Sequence, residues 1–235
     1  MKTLIISDIH SNYEALFAVI DRENADQVIC LGDLVDFGPQ PAEVVQWVRH
    51  HVKDHCVMGN HDDALAHHRD CRSGPVFHDL AEATREMNRA LLTHEQLTYL
   101  RELPPVVTVN IEGYRLRLAH ATPAGNLYDN HLQPSVEDEN LAVAMQGYDA
   151  DFICCGHTHL PMVRSIGRQT FVNPGSVGLP LDGDPRASYA VFHEGKIKLR
   201  RLAYDIGKVV RKWRESALRE EMVQRLASIL ESGRA

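Results

Sequence analysis

The 235-residue sequence has no long hydrophobic run, few cysteines and no excess of basic residues. No segment approaches the roughly 20 consecutive apolar residues that a membrane-spanning helix needs, so we expect no membrane partner. The net charge of −7 at pH 7 argues against a broad nucleic-acid-binding surface. Because the N-terminus leads directly into a predicted strand without a signal-peptide pattern, we expect a cytoplasmic protein.

The five cysteines form no C-x-x-C pair, and their odd number does not suit a disulfide framework. Cys30, Cys154 and Cys155 lie in hydrophobic runs, so we interpret them as reduced core residues. Internal repeats and low-complexity linkers are also absent. The length and ordinary composition therefore predict a single domain over residues 1–235.

The chain does contain side chains typical of metal sites, placed where predicted strands end. The predicted strands are hydrophobic runs at residues 4–6, 28–31, 56–58, 116–119 and 152–155. The candidate ligands that follow them are Asp8, His10, Asp33, Asn60, His120, His157 and His159. Because strand ends bring distant residues to one edge of a sheet, we expect these side chains to meet.

Two carboxylates, one amide oxygen and four imidazoles suit borderline divalent cations and not a structural zinc site, which favours cysteine. We expect two divalent metal ions, with Mn²⁺ first and Fe, Zn, Ni or Co as alternatives. Such a pair makes the site locally positive despite the acidic chain. The pattern therefore favours a metal-dependent hydrolase acting on a small anionic phosphoester.

Strands and helices alternate in the first half of the chain, which predicts an α/β fold with a mostly parallel layer. Ser11 and Glu14 are read as a capping box that starts the first helix, and Pro41 suits the start of the second. Later hairpin patterns follow from residue 106, and Ser135 is read as the cap of a helix before the strand at 151–155.

Residues 63–104 interrupt this alternation and predict a helical insertion, with a capping box from Thr93 to Gln96 and an end at Pro104. The insertion is interpreted either as a partial lid over the site or as a helical pair packed on a sheet edge. Residues 205–232 predict C-terminal amphipathic helices that break near Ser216. These helices offer a surface for a homo-oligomer, although docking on the core is the preferred interpretation.

The candidate ligands lie in motifs that together resemble the calcineurin-like metallophosphoesterases, in particular the small prokaryotic phosphodiesterase-like branch. The motifs are Asp8-Ile9-His10, Gly32-Asp33-Leu34-Val35-Asp36, Gly59-Asn60-His61-Asp62, His120, Gly156-His157-Thr158-His159 and Asn173-Pro174-Gly175-Ser176. All of these blocks occur in order between residues 8 and 176, so the combined signal is strong where any single block is weak.

The resemblance implies a four-layer αββα sandwich of two mixed β-sheets flanked by helices. It assigns one metal to Asp8, His10 and His159 and the other to Asn60, His120 and His157, with Asp33 bridging. It also implies a metal-bridging hydroxide as the nucleophile. His61 matches the general acid that protonates the leaving oxygen, and Asp36 matches the carboxylate that orients it.

The chain departs from the family's protein phosphatases at one position. Those enzymes carry Gly-Asp-x-x-Asp-Arg-Gly, whose arginine grips the substrate phosphate, whereas this chain has Phe37 there. Since a monoester dianion depends more on such a clamp, we expect a phosphodiesterase. The alternatives are a phosphomonoesterase, a protein phosphatase, a dinucleoside-polyphosphate hydrolase, or a non-enzymatic scaffold like the retromer subunit of this fold.

Four further observations carry weaker signals. Tyr128 and Arg186 are candidate substrate contacts, although rim packing for Tyr128 and a surface salt bridge for Arg186 are equally compatible with the sequence. His67, His68 and His78 have no tight ligand spacing, so we interpret them as solvated loop histidines. Asp62 is interpreted as a structural partner or loop cap.

Overall fold

The computed structural model describes all residues, 1–235, and contains nine strands and eight α-helices. In chain order they are β1 (Thr3–Ile6), α1 (Tyr13–Glu23), β2 (Gln27–Cys30), α2 (Pro41–His51), α3 (Asn60–His67), α4 (His78–Leu91), α5 (His94–Glu102), β3 (Val106–Ile111), β4 (Tyr114–Ala119), α6 (Asp138–Met145), β5 (Phe152–Cys154), β6 (Met162–Ile166), β7 (Gln169–Asn173), β8 (Ala187–His193), β9 (Lys196–Leu202), α7 (Ile206–Arg214) and α8 (Glu220–Ser232).

The strands form two mixed sheets. One has the order β2-β1-β8-β9 and the other the order β3-β4-β5-β7-β6. In the first sheet β1 and β2 are parallel, and in the second β4, β5 and β7 are parallel; the other pairs are antiparallel. The predicted α/β sandwich of two mixed sheets flanked by helices is confirmed.

A central apolar layer joins the two sheets. Side chains from both sheets contact each other there, among them Ile5, Ile29, Leu118 and Phe192, all essentially inaccessible to solvent. A second cluster packs α1 and α2 on the outer face of the first sheet, and a third packs α6 on the second sheet. Burial on both faces explains why the central strands are short, continuous hydrophobic runs.

The parallel strand pairs determine where the candidate ligands lie. The chain leaves β1 and β2 at the same edge of the first sheet, and it leaves β4 and β5 at one edge of the second sheet. The segments that follow those four strands carry the candidate carboxylates and imidazoles, and Asn60 is the first residue of α3. Two sheet edges therefore converge on one site.

Several predicted boundaries were wrong because tertiary contacts override local signals. Asn12, not Ser11, caps α1, because the Ser11 hydroxyl donates to Asn88 of α4 instead. The run at 56–58 forms only an isolated bridge to Cys30. Glu137, not Ser135, precedes α6. The start of α2 at Pro41 and the capping box at Thr93 are confirmed.

A fourth apolar cluster connects α4 of the 63–104 insertion with the C-terminal helices and with the site. It includes Leu80, Phe37, Trp213 and Leu226, all buried. The Trp213 indole N–H also donates to the carbonyl oxygen of Phe37 at 2.9 Å. The C-terminal helices therefore pack against the segment that carries Asp36. None of the helices has both the length and the apolar character needed to cross a membrane.

Candidate dinuclear metal site

The backbone at the candidate ligands adopts an uncommon conformation. Asp8, His10, Asp33, His157 and His159 all have positive φ, between 46° and 66°. Residues other than glycine enter this left-handed region at an energetic cost, and such residues concentrate at functional sites. Here the conformation turns the chain sharply after each strand and directs the side chains toward a common centre.

The first group of candidate ligands contains Asp8, His10 and His159. The Nε2 atoms of His10 and His159 lie 3.2 Å apart, and His159 Nε2 lies 3.4 Å from Asp8 Oδ1. All three side chains are buried. The group therefore places one carboxylate and two imidazoles around a single point, which matches the first metal site that the family resemblance implied.

The second group contains Asn60, His120 and His157. The Oδ1 atom of Asn60 lies 3.0 Å from both His120 Nε2 and His157 Nδ1, and these two nitrogens lie 3.3 Å apart. Asp33 lies between the groups, because its Oδ2 atom is 3.3 Å from His120 Nε2 and 3.7 Å from His10 Nε2. Asp33 therefore lies within reach of both groups, as a bridging ligand would have to.

The hydrogen bonds of these histidines indicate which kind of ligand suits the site. The Nδ1 atoms of His10, His120 and His159 face the carbonyl oxygens of Val35, Leu31 and Leu179. With the proton on Nδ1, the Nε2 lone pairs of His10 and His159 face each other. Converging lone pairs are unfavourable unless a cation lies between them, so the residues present fit a metal pair.

Burial and neighbouring charges shift the pKa values of the candidate histidine ligands. Burial lowers the pKa of His10 to about 3 and that of His157 to about 4, so both rings are neutral near pH 7, as metal ligands must be. Burial also opposes a charge on His120, but the adjacent Asp33 carboxylate outweighs it and raises the pKa of His120 to about 9. Without a bound cation, His120 is therefore protonated near pH 7 and pairs with the Asp33 carboxylate.

Two glycines in the motifs are required because neighbouring atoms leave no space for a side chain. A Cβ atom at Gly59 would lie 2.1 Å from Asp33 Oδ1, and one at Gly156 would lie 1.9 Å from Ser7 Oγ. Each glycine thus permits a close approach between two ligand-bearing segments. A side chain at either position would separate the two groups of candidate ligands.

Residues outside the candidate ligand set hold the segments together. Asp62 accepts hydrogen bonds from the backbone N–H groups of Asp33, Leu34 and Gly59 at 2.8–3.0 Å, so it ties the start of α3 to the turn after β2. This geometry agrees with the structural role expected for Asp62. Ser176 donates to the Asp8 carbonyl, which gives the Asn173–Ser176 motif a structural role beside the site.

His61 and Asp36 form a buried pair beside the candidate metal ligands. His61 Nδ1 lies 2.7 Å from Asp36 Oδ2, and the His61 backbone N–H donates to Asp33 Oδ1 at 2.9 Å. Burial opposes a charge on His61, but Asp33 and the Asp36 hydrogen bond outweigh it and raise its pKa well above the ordinary value. The ring is therefore held protonated with Nε2 not committed to Asp36, as a general acid requires.

Arg85 of α4 was not identified from the sequence. Its guanidinium binds Asp36 Oδ2 at 3.0 Å, so Asp36 pairs with both His61 and Arg85. The insertion thus contributes directly to the His61–Asp36 pair. Only its charge and its helical position were visible in the sequence, and neither distinguishes it from Arg89, the other arginine of α4.

A cavity of about 360 Å³ opens beside the candidate ligands. The residues that line it are Asp33, Phe37, Asn60, His61, Arg72, Ser73, Gly74, Phe77, Tyr128, Asn130, Gln133, His157, Thr158, His159, Leu179 and Leu181. The structure therefore places Tyr128 at the cavity, as expected for a substrate contact. It places Arg186 elsewhere, in an exposed ion pair with Asp184, which corresponds to the salt-bridge alternative.

The histidines of the insertion form no metal-type group with each other. His67 pairs with Asp63, His68 accepts from Arg89, and His78 faces Glu82 at the surface. All five cysteines are free and buried, which agrees with their interpretation as core residues. The groups of three or more metal-type side chains all lie at the site described above.

Comparison with known proteins identifies the family. Residues 1–196 match the family described as the calcineurin-like phosphoesterase superfamily domain. The chain is 33% identical to the uncharacterized protein MJ0912 of Methanocaldococcus jannaschii over 94% of this chain and 96% of that protein. It is 29% identical to phosphodiesterase YfcE of Escherichia coli, over 82% and 87% of the two chains.

A shorter match, 31% identical, covers 52% of this chain and 44% of the symmetrical bis(5'-nucleosyl)-tetraphosphatase of Erwinia tasmaniensis. Among solved structures, the metallophosphoesterase of Sphaerobacter thermophilus superposes with a TM-score of 0.80 at 31% identity, over 99% of both chains. The family expectation is confirmed, and with it the expectation of a metal-dependent phosphoric ester hydrolase at the level of the family. The chain belongs to the calcineurin-like phosphoesterase superfamily.

Proposed function

We propose that this protein is a dinuclear metal-dependent phosphodiesterase that hydrolyses a small phosphoester. The observation that carries the proposal is the arrangement of the two groups of candidate ligands, which have Asp33 between them and lie beside the buried His61–Asp36 pair. The first group can hold a cation with Asp8, His10 and His159, and the second with Asn60, His120 and His157. The proposed metal is Mn²⁺.

When bound, two divalent ions would neutralise phosphoryl charge and lower the pKa of a hydrolytic water. The protein's own contribution to the chemistry is the proton for the leaving group. His61 is protonated and borders the cavity, so it can donate from Nε2 to the departing alkoxide. Asp36 holds the ring orientation through Nδ1 and stabilises its charged form. The products would be a phosphomonoester and an alcohol.

The preference for a diester rests on position 37. Phe37 contacts the His10 ring edge to face, with centroids 5.0 Å apart, and the His61 ring at a tilted angle, with centroids 5.1 Å apart. An apolar ring at this place cannot supply the two charged hydrogen bonds that a monoester dianion gains from an arginine. A diester monoanion needs less compensating charge. The similarity to an enzyme named as a phosphodiesterase supports the same choice.

A second candidate function is hydrolysis of a dinucleoside polyphosphate. The local similarity to a symmetrical bis(5'-nucleosyl)-tetraphosphatase favours it, although that match covers less than half of the other protein. Phosphomonoester and phosphoprotein hydrolysis are the other enzymatic alternatives, and a scaffold role is the non-enzymatic one.

The test begins with metal-stripped protein, to which Mn²⁺ is added back. Hydrolysis of bis(4-nitrophenyl) phosphate is compared with that of 4-nitrophenyl phosphate, using Asp33→Asn as the inactive control. We expect metal-dependent turnover with a higher kcat/KM for the diester. A higher kcat/KM for the monoester would contradict the phosphodiesterase proposal. Absence of turnover for both substrates, with two metals bound, would contradict the enzymatic proposal.

A further inference from the structure

The cavity contains one uncommitted cation that neither the motifs nor the proposed chemistry explain. Arg72 lies in the segment between α3 and α4, and it is the only arginine or lysine among the cavity-lining residues. It forms no salt bridge, whereas Arg69 and Arg85 nearby both pair with carboxylates. A free guanidinium beside a candidate phosphoester site is chemically suited to an anionic substrate.

The structure holds the Arg72 guanidinium in a defined place. Its Cζ atom lies 4.5 Å from the centroid of the Tyr128 ring, which is a cation–π contact. The Tyr128 hydroxyl in turn donates to Asp63 Oδ2, which fixes the ring. The Arg72 backbone N–H donates to Asp70 Oδ1 at 2.8 Å, and the left-handed φ of Arg72 turns the chain at this point. The cation is thus supported from both side chain and backbone.

One side of the cavity wall is apolar. Phe37 and Leu179 are buried and Phe77 and Leu181 half-buried, and all four belong to the cluster beneath α4, α7 and α8. Phe37 and Phe77 pack edge to face, with centroids 5.9 Å apart. These four side chains form an apolar side of the cavity next to the candidate metal ligands. A cavity of this size and composition suits a small organic ligand and not a folded protein surface.

We propose that Arg72 donates a charged hydrogen bond to a phosphoryl oxygen of the substrate, and that the apolar side of the cavity receives one organic group of the substrate. The substrate class is therefore a small phosphoester with an aromatic or heteroaromatic substituent. This inference rests on the proposed function. This contact comes from the insertion and not from the Gly-Asp-x-x-Asp segment, and a single guanidinium contact suits the single negative charge of a diester.

Binding is measured first, by calorimetry of metal-loaded protein with phenylphosphonate and with methylphosphonate, neither of which is hydrolysed. Arg72→Gln should weaken both ligands by roughly tenfold, because one charged hydrogen-bond partner is lost. Phe77→Ala should weaken phenylphosphonate several-fold and leave methylphosphonate unchanged. The matched control is Arg168→Gln, an exposed arginine in the turn between β6 and β7, at the end of β7 opposite Asn173.

Kinetics on bis(4-nitrophenyl) phosphate provide the second measurement. Arg72→Gln should raise KM roughly tenfold with a smaller change in kcat, and Arg72→Lys should recover part of the loss. Wild-type affinity and KM in Arg72→Gln would overturn the role of Arg72, and so would an equal loss in Arg168→Gln. Unchanged phenylphosphonate binding in Phe77→Ala would overturn the apolar subsite.

Different results would contradict the proposed function and the Arg72 proposal. A wild-type protein that binds phenylphosphonate through Arg72 but hydrolyses no phosphoester would contradict the proposed function and support the Arg72 site. A wild-type protein that hydrolyses the diester with no contribution from Arg72 would support the proposed function and overturn this inference.

Discussion

Asp33 connects the two halves of the candidate site at the scale of single residues. Its side chain is almost fully buried, and its oxygens lie near His10, His120 and the His61 backbone N–H. A buried carboxylate is costly unless positive charge compensates it. Here the compensation in the metal-free protein comes from His120 and His61, and a divalent cation pair would replace part of it.

The His61 side chain provides a prediction that separates acid catalysis from simple positioning. In His61→Asn, we expect kcat for an alkyl phosphodiester to fall by roughly 100-fold or more, because a poor leaving group needs a proton. For a nitrophenyl ester, whose leaving group is stable as an anion, the loss should be much smaller. Steady-state kinetics on the two substrates measure both values.

The control for this prediction is His78→Asn, since His78 is an exposed histidine that faces Glu82. Equal losses on both substrates in His61→Asn would contradict the general-acid role and point to a role in positioning alone. Full kcat on the alkyl ester would exclude any contribution of His61 to the chemical step.

Helix α4 links the insertion to the site at the scale of secondary-structure elements. Its Asn88 side chain accepts hydrogen bonds from Ser11 and from the Asp36 backbone N–H, and it donates to Gly38. Thr84 accepts from the Phe37 backbone N–H. These contacts support the turn that carries Asp36. Helix α4 therefore packs directly against the site, which a helical pair that contacts only a sheet edge would not do.

Arg85 allows this support to be tested. Arg85→Met preserves much of the side-chain volume but leaves the buried Asp36 carboxylate with His61 as its only charged partner. We expect a loss of about 2–4 kcal/mol in the free energy of unfolding, because one partner of a buried ion pair is removed. We also expect kcat to fall several-fold as His61 loses its fixed orientation.

Arg89→Met is the matched control, because Arg89 lies one turn later on α4 and contacts His68 and the Leu65 carbonyl without reaching Asp36. Chemical denaturation and kcat are measured for both variants. If Arg85→Met and Arg89→Met behave alike in kcat, α4 does not act on the site through Asp36.

At the scale of the whole molecule, the site joins the two sheets. Asp8, His10 and Asp33 follow strands of the first sheet, whereas His120 and His157 follow strands of the second. A metal pair would therefore add a connection between two layers that already meet through the apolar layer and through the hydrogen bond between His120 Nδ1 and the Leu31 carbonyl. We expect metal binding to stabilise the fold as a whole, because any ligand that binds only the folded state does so.

The pKa of His120 predicts how the stability of the metal-free protein changes with pH. Its pKa is raised to about 9, so its favourable contribution is fully present below the unfolded value of 6.5 and is lost as the pH rises from 6.5 to 9. The lowered pKa values of His10 and His157 act on the other side, below 6.5. The melting temperature of the metal-free protein should therefore fall between pH 6.5 and 9.

The Mn²⁺-loaded protein should not show this fall, because the metal binds the deprotonated imidazole and so gains affinity with rising pH. Thermal unfolding across this range, with and without Mn²⁺, measures both slopes. His120→Asn should remove part of the decline in the metal-free protein, and His61, whose pKa is also raised, contributes the remainder. Parallel declines with and without metal would show that His120 and the cation do not share one position.

The sequence by itself determined the family, the sandwich fold and the members of the candidate ligand set. Hydrophobic runs define buried strands, and residues such as Asp8, Asp33 and His120 directly after them must lie at strand ends. The glycines beside Asp33, Asn60 and His157 belong to the same local motifs. These signals are readable because they depend on spacing within a few residues.

Only the tertiary structure determined which residues surround the candidate ligands. Asn12 replaced Ser11 as a cap because Asn88 binds Ser11 from a helix 77 residues away in sequence. Arg85 beside Asp36 and Arg72 over Tyr128 come from the insertion, whose position relative to the sheets has no local sequence signal. Long-range packing determines which of several similar arginines faces the site, and a single sequence does not record that choice.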